Sequence, residues 1–281
     1  MRTSPPATRR QADPSRYQTV SLLSDYGHAD EFVGVVHSVI RSIAPEVGVV
    51  DLVHDLPAFD VRGASLALTR AVQYVAPGIV LAIVDPGVGT DRRAIAVEVG
   101  EGGEGVLIGP DNGLLAPAVA MSGGATRAVE LTNPDYQLVA PGPTFAGRDI
   151  FAPATGHLAN GVPLTALGPE IDPYSLMPGL IPLSRAEEGD IVGEVLWIDR
   201  YGNCQLNVDP DDVADWGSDL VVRTGEDSVR RARRVTCFAD LRTGEVGALV
   251  DSYGLLTIVV DRDSAASLLG LHPGAKVRLS G

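Results

Sequence analysis

The chain has 281 residues, enough for one large or two ordinary domains with real cores, which excludes a disulfide-stapled miniprotein. Hydrophobic residues make up 45% and charged residues 21%, so a wholly disordered chain is excluded as well. With 22 Lys and Arg against 36 Asp and Glu the formal net charge is −14, a field that repels phosphate backbones and anionic lipid; a small molecule, a cationic one included, is the expected partner, not nucleic acid or membrane.

Residues 1–16, MRTSPPATRRQADPSR, are polar and Pro-rich, without the apolar stretch of a secretory signal, and read as a disordered tail. QTVSLLS (18–24) is a buried strand ending at Asp25-Tyr26-Gly27. Residues 30–43 place Phe32, Val33, Val36, Val39, Ile40 and Ile43 at helical spacing, with Asp30 and Glu31 expected in the first turn and Pro45 beyond the end. VGVVDLV (47–53) is a strand, DVRGASLALTRAVQYV (60–75) a helix, and GIVLAIVD (78–85) a strand ending at Asp85. This alternation predicts a mainly parallel sheet with crossover helices. AIAVEV and GVLIG follow as strands around a Gly/Glu-rich hairpin tip at 100–105. A short helix is expected after Asn112-Gly113, a strand near Arg127–Leu131, and a helix over GRDIFAPATGHLAN, ending at Asn160-Gly161.

Near residue 184 the texture changes. SRAEEGD (184–190) reads as a charged linker, and beyond it come short alternating runs broken by Gly and Asp: GEVLWIDRYGNCQLNV, LVVRT, RRVTCFAD, ALVDSYGLLTIVV and AKVRLSG. The expected organisation is an α/β domain over 17–183, a linker over 184–190, and a small all-β, barrel-like domain over 191–281. No apolar run approaches the ~20 residues of a membrane helix. Cys204 and Cys237 lack metal-type spacing and read as two packing thiols of a reduced, cytoplasmic protein.

Generic catalytic motifs are absent: no phosphate-binding loop, no HExxH, no CxxC pair, no GxSxG elbow. Gly87-Val88-Gly89 and Gly102-Gly103 lack the register of a dinucleotide fingerprint. His28, His37, His54, His157 and His272 show no metal-like spacing, so no metal site is expected. What remains is a set of strand-end segments: SDYGHAD (24–30), HDLPAFD (54–60), DPGVGTDRR (85–93), GPDNGLL (109–115) and PTFAGRDIF (143–151). Singly, each reads as a turn with a satisfied aspartate. In open α/β sheets, however, ligands bind beyond the carboxyl ends of the strands, where Asp25, Asp51 and Asp85 fall.

Together and in this order the segments resemble the S-adenosylmethionine hydroxide adenosyltransferase family, water-using relatives of fluorinase and chlorinase. IDRYGN (198–203) and DSYG (251–254) extend the likeness into the second domain. The resemblance implies that Asp25 binds the ribose hydroxyls and that Asp85 and Arg92 belong to an Asp-Arg-His set holding the attacking water. It further implies that Asp199 faces the amino group, Tyr201 and Asn203 the adenine, and Ser252 the carboxylate, with Phe59 against the substrate. S-adenosylmethionine is then substrate and no cofactor is implied. A homotrimer is implied too, with ligand sites at the subunit interfaces.

Two departures stand out. The family pattern TFHGRD reads Thr144-Phe145-Ala146-Gly147-Arg148-Asp149 here, so Ala146 occupies the position of the third, water-holding member. The intact flanks favour a deliberate His→Ala replacement over a natural variant, and either way turnover is expected to be impaired. Tyr253 stands where the halogenases carry an arginine. Two other readings stay open: a catalytically weak protein that senses S-adenosylmethionine or adenosine, and a site for another purine nucleoside that uses Asp25 and Asn203 but not Asp85.

Overall fold

The computed structural model describes residues 17–100, 105–225 and 228–281. The tail expected over 1–16, residues 101–104 of the expected hairpin tip, and Gly102-Gly103 with them lie outside the described residues. The chain divides into two compact units between Gly179 and Leu180.

The first unit contains β1 (Thr19–Ser24), α1 (Phe32–Ile43), β2 (Gly48–Val53), α2 (Val61–Val72), β3 (Ile79–Ile83), β4 (Ala94–Val99), β5 (Gly105–Pro110), α3 (Ala116–Met121), β6 (Ala125–Glu130), α4 (Ala152–Ala159) and β7 (Glu170–Ile171). Its sheet has the order β2-β1-β3-β5-β4-β6-β7. The first four are mutually parallel neighbours, while β4 runs against both β5 and β6, so β6 points with the first four. The sheet is mainly parallel, as the alternation of strand and helix patterns predicts. β1 and β3 are apolar on both faces because helices cover both sides of a central parallel strand; β2, at the edge, keeps Val50 half exposed.

Helix α1 buries Val33, Val36 and Ile40, the stripe its 3.6-residue period dictates. It begins at Phe32, so Asp30 and Glu31 precede the first turn instead of occupying it; Glu31 is the cap position and makes no side-chain capping bond. Burial of the apolar stripe, not charge on the helix dipole, sets this start. Asp60 does cap α2, accepting from the Gly63 amide at 2.9 Å. The expected helix from Gly147 is present but opens with a π-helical turn, Gly147–Phe151, before α4. Gly156 lets α4 close on α1: a Cβ there would sit 3.0 Å from Ile43 and 3.3 Å from the Ile40 carbonyl.

The second unit contains β8 (Arg185–Glu187), β9 (Asp190–Ile198), β10 (Cys204–Leu206), β11 (Asp219–Thr224), β12 (Ser228–Arg234), β13 (Val246–Val250), β14 (Leu256–Val260), α5 (Ala265–Leu269) and β15 (Lys276–Ser280). The order β9-β10-β14-β13-β12-β11-β15 returns to β9 and closes a seven-stranded barrel. Its interior is filled by Val195, Leu206, Leu220, Val222, Ile258, Val277 and Leu279, and closure removes the free edges that an open sheet would present.

Four local readings change. Residues 184–190 form a hairpin, not a linker: β8 pairs with β9, and Glu187 accepts from Arg278 of β15 at 2.6 Å, so the charges read as linker are edge ion pairs. The strand expected over RRVTCFAD lies earlier, at Ser228–Arg234, because the Asp240 carboxylate accepts from the amides of Thr236 and Cys237 and folds that stretch into a turn. Cys204 is buried as expected, whereas Cys237 is exposed on this turn, beside Asp240. Helix α5, unanticipated, is capped by Ser264 and stopped by left-handed Gly270. Among the described residues no helix is long and apolar enough to cross a membrane.

Leu81 lies fully buried in β3. Leu81→Ala is expected to cost about 2–5 kcal/mol in urea unfolding, while Val50→Ala at the sheet edge should stay within about 0.5 kcal/mol.

Candidate active site

The parallel strands deliver their carboxyl ends to one edge of the sheet. Asp25 follows β1 and Asp85 follows β3, and Arg92 precedes β4, which starts at this edge because it runs the opposite way. Between Asp85 and Arg92 the chain turns tightly, with Val88 N–H donating to the Asp85 carbonyl at 3.2 Å and Thr90 N–H to the Gly87 carbonyl at 3.1 Å. This return brings Arg92 onto Asp85. Its Nε reaches the two carboxylate oxygens at 2.8 and 3.0 Å, and its Nη2 reaches Oδ2 at 2.5 Å. Both side chains are nearly shut off from water, at 7% exposure for Asp85 and 13% for Arg92. The guanidinium also lies 5.3 Å from the Phe151 ring, in the turn that starts after Ala146.

Ala146 is itself buried, as part of the hydrophobic core, and makes no capping bond. The turn that follows Ala146 thus meets the Asp85–Arg92 fork through Phe151. Arg148 forks onto Asp149 at 2.6 and 3.0 Å and stacks 5.2 Å from Phe145. Asp25 Oδ2 accepts from the Phe59 amide at 2.8 Å, and Phe59 is held at φ +66° with the residue 73% exposed. A non-glycine residue in that region is strained, so the Asp25 contact fixes an aromatic pointing outward at the rim.

Tyr26 belongs to this site and escaped the sequence reading. Its ring packs 5.5 Å from Phe32 and 5.7 Å edge-on from Phe145. Its hydroxyl abuts Gly147, where a Cβ would come within 2.3 Å. Burial first, then the negative charges of Asp85 and Asp25, raise its pKa far above the ordinary 10.0, with Arg92 opposing. Tyr26 is thus a neutral phenol, and the signal for it was only its place between Asp25 and Gly27.

In the barrel, Asp199 Oδ1 accepts from the amides of Tyr201 and Asn203 at 2.9 Å each, and Oδ2 accepts from Asn203 Nδ2 at 2.8 Å. The carboxylate builds the loop that presents Tyr201 and Asn203. These two line a groove of about 480 Å³ with Phe238, Val260, Arg262 and Ser264. Phe238, Arg262 and Ser264 were missed by sequence reasoning; the left-handed φ of +56° at Arg262 is visible only in the backbone. Ser252 is exposed on a separate turn built by Asp251 and does not line this groove. Burial, with Asp199 nearby, pushes the Cys204 thiol up to about 12, which makes it inert packing next to Asn203.

Strand-end acids with an arginine fork, followed by a barrel with an amide-and-aromatic groove, define a two-domain protein for a small organic ligand. Residues 20–168 match the model of the SAM hydroxide adenosyltransferase N-terminal domain and residues 193–278 that of the C-terminal domain. The chain belongs to this family. It is 43% identical over 263 residues to the (R)-S-adenosyl-L-methionine hydrolase of Salinispora tropica, covering 93% of this chain and 97% of that protein. It is 41% identical over 268 residues to the protein of the same name from Thermus thermophilus, covering 92% and 98%. An uncharacterized conserved protein from Thermotoga maritima shares the fold, with a TM-score of 0.84 at 32% identity, over 93% of this chain and all of that one.

Two outcomes follow from this geometry. Arg92→Met leaves the Asp85 charge buried without its partner and is expected to cost about 3–5 kcal/mol in chemical unfolding. In ultraviolet titration Tyr26→Phe should leave the phenolate rise near pH 10 unchanged, since Tyr26 stays protonated there. Because its folded pKa is the raised one, its contribution to stability is full below pH 10 and declines above it, so the variant should lose less stability than the parent as pH rises past 10.

Proposed function

We propose that the protein hydrolyses S-adenosyl-L-methionine to adenosine and L-methionine, by attack of water or hydroxide at the ribose C5′. The observation that carries this reading is the closed Asp85–Arg92 fork at the sheet's carboxyl edge, in a chain whose relatives are named hydrolases of the R sulfonium epimer. The same epimer is the substrate taken here. A sulfonium leaves as a neutral thioether, so no general acid is needed and the protein's task is the nucleophile. Water has to sit in line behind C5′, about 3–3.5 Å away, and lose a proton as it attacks. Asp85 orients that water and accepts from it, and Arg92 fixes the carboxylate through its two-pronged bond.

Asp25 serves the ribose hydroxyls, with Phe59 against the substrate. Tyr201 and Asn203 serve the adenine, with Asp199 shaping their loop and facing the amino group, and Ser252 serves the carboxylate. No cofactor enters the reaction. We take the protein as a cytoplasmic homotrimer with ligand sites at subunit interfaces, in which the exposed Phe59 and Tyr201 would be covered.

The buried methyl of Ala146 favours a second reading, a weakly catalytic sensor that binds S-adenosylmethionine or adenosine. Turnover separates the two. Incubation with S-adenosylmethionine and chromatography for adenosine should show slow turnover here, and Ala146→His should raise kcat by about 10²–10⁴ with KM little changed. Equal kcat in both forms removes the role given to position 146; binding without adenosine in either form establishes the sensor. Added chloride should give no 5′-chloro-5′-deoxyadenosine at a comparable rate, since a carboxylate that holds water by accepting its hydrogen bond offers an anion no donor.

A further inference from the structure

The segment HDLPAFD begins with a histidine to which the reaction assigns no task. His54 is buried, at 2% exposure, and bonded on both sides. Its Nδ1 lies 2.7 Å from Ser24 Oγ and its Nε2 lies 2.9 Å from Asp51 Oδ1. The same Asp51 oxygen is 2.7 Å from Nε2 of His37, on α1. Burial raises the Asp51 pKa, but the hydrogen bonds from His54 and His37 outweigh it and the net shift is downward, so Asp51 is an acceptor only. Nε2 of His54 therefore carries a proton toward Asp51. In the neutral ring Nδ1 is left as the acceptor for the Ser24 hydroxyl. Ser24 Oγ accepts in turn from the Tyr26 amide at 3.3 Å.

Serine, histidine and aspartate in this order have the connectivity of a nucleophilic triad, but Ser24 is fully buried and no substrate carbonyl can reach it. The network's place in the sheet gives it another task. The β1–β2 register slips between Leu22 and Leu23, and the last ladder pair is Leu23 with Val53. Ser24 and His54 are the next residues along each strand. Their side-chain bond thus continues the pairing where the backbone ladder stops, and Gly27 N–H adds a bond to the His54 carbonyl at 2.8 Å. The two loops clamped in this way carry Asp25 and Phe59, whose own contact is the 2.8 Å bond across the gap.

We propose that Ser24 and His54 are positioning residues for the ribose end of the site: their bond sets the separation of the two loops, and with it the Asp25 carboxylate and the Phe59 ring. This rests on the reading of Asp25 as the ribose ligand. Asp85 and Arg92 lie in the turn between β3 and β4, outside the two loops that the bond joins.

The test uses two replacements that split the histidine's functions. His54→Asn keeps an acceptor near the Nδ1 position for Ser24 and gives up Asp51; His54→Gln reaches Asp51 and gives up Ser24. Equilibrium binding of adenosine and of 2′,3′-dideoxyadenosine to the full chain is measured for the parent, both variants and Ser24→Ala, with thermal unfolding as a check on folding. The parent is expected to prefer adenosine by tenfold or more. Ser24→Ala and His54→Gln should lose most of that preference and raise KM for S-adenosylmethionine at least tenfold with kcat within about threefold, while His54→Asn keeps the preference. If the parent shows no preference, the ribose role of Asp25 falls and the inference with it. If the parent discriminates and folded Ser24→Ala discriminates equally, only the positioning inference is overturned. A uniform loss across all three variants, scaling with their unfolding temperatures, overturns it in favour of a purely structural network.

Discussion

Negative charge crowded at the edge of a buried sheet is the constraint on which the first unit depends. Asp25, Asp85 and Asp111 follow β1, β3 and β5, and Asp149 stands with Asp25 and Asp85 around Tyr26; burying a carboxylate, as at Asp85, Asp111 and Asp149, costs several kcal/mol unless it is paired, while Asp51, within β2, stays part exposed. The structure meets this with a dedicated donor for each acid. Asp85 takes Arg92, Asp111 takes Arg93, Asp149 takes Arg148, and Asp51 takes two imidazoles. Asp25 differs, since its partner is the Phe59 amide, a neutral donor bound to one oxygen. A carboxylate so placed keeps lone pairs for hydroxyl donors, which fits it better than its neighbours for recognising a sugar.

The adjacent arginines show how a strand's pleat divides labour. At the start of β4 successive side chains point to opposite faces, so Arg92 turns to Asp85 while Arg93 turns to Asp111. Arg93 also donates to Ser175, at 3.1 Å to its hydroxyl and 2.6 Å to its carbonyl, and Asp111 accepts from the Met177 amide at 2.8 Å. One arginine shapes the site, and its neighbour ties down the segment that ends the first unit. Exchanging their roles would require a one-residue register slip, which would also swap Ile95 and Val97 with the smaller Ala94 and Ala96 between two buried faces.

The elements were legible wherever one physical signal dominated: the continuous apolar runs of β1 and β3, the stripe of α1, the turn-punctuated strands of the barrel. Where a long-range partner decides, the local pattern misleads. SRAEEGD reads as a linker because its one internal pair, Arg185 with Glu187, calls for no strand; Arg278, far along the chain, supplies the partner that makes it an edge. Cys237 reads as a packing thiol because its spacing from Cys204 suits no metal, whereas Asp240 bends its stretch into an exposed turn. Asp85 and Arg92 are close in sequence and could be paired from the segment alone, although their role came from resemblance. The Ser24–His54 bond joins residues 30 positions apart and is invisible to any local rule.

The chemistry explains why a site missing an imidazole can keep its shape. An acid is unnecessary when the leaving group is a sulfonium, so a histidine at position 146 would act on the attacking water alone. Alanine there fits the hydrophobic core, and the acids nearby retain their own partners. No buried charge is stranded by its absence, in contrast to the loss of Arg92, which would strand Asp85. The proposed roles therefore fall on separate parts of the structure: binding on Asp25, Phe59 and the Tyr201–Asn203 loop, turnover on the fork and the turn after Ala146. On that proposal, alanine at position 146 is expected to lower the rate without dismantling the groups assigned to the ligand.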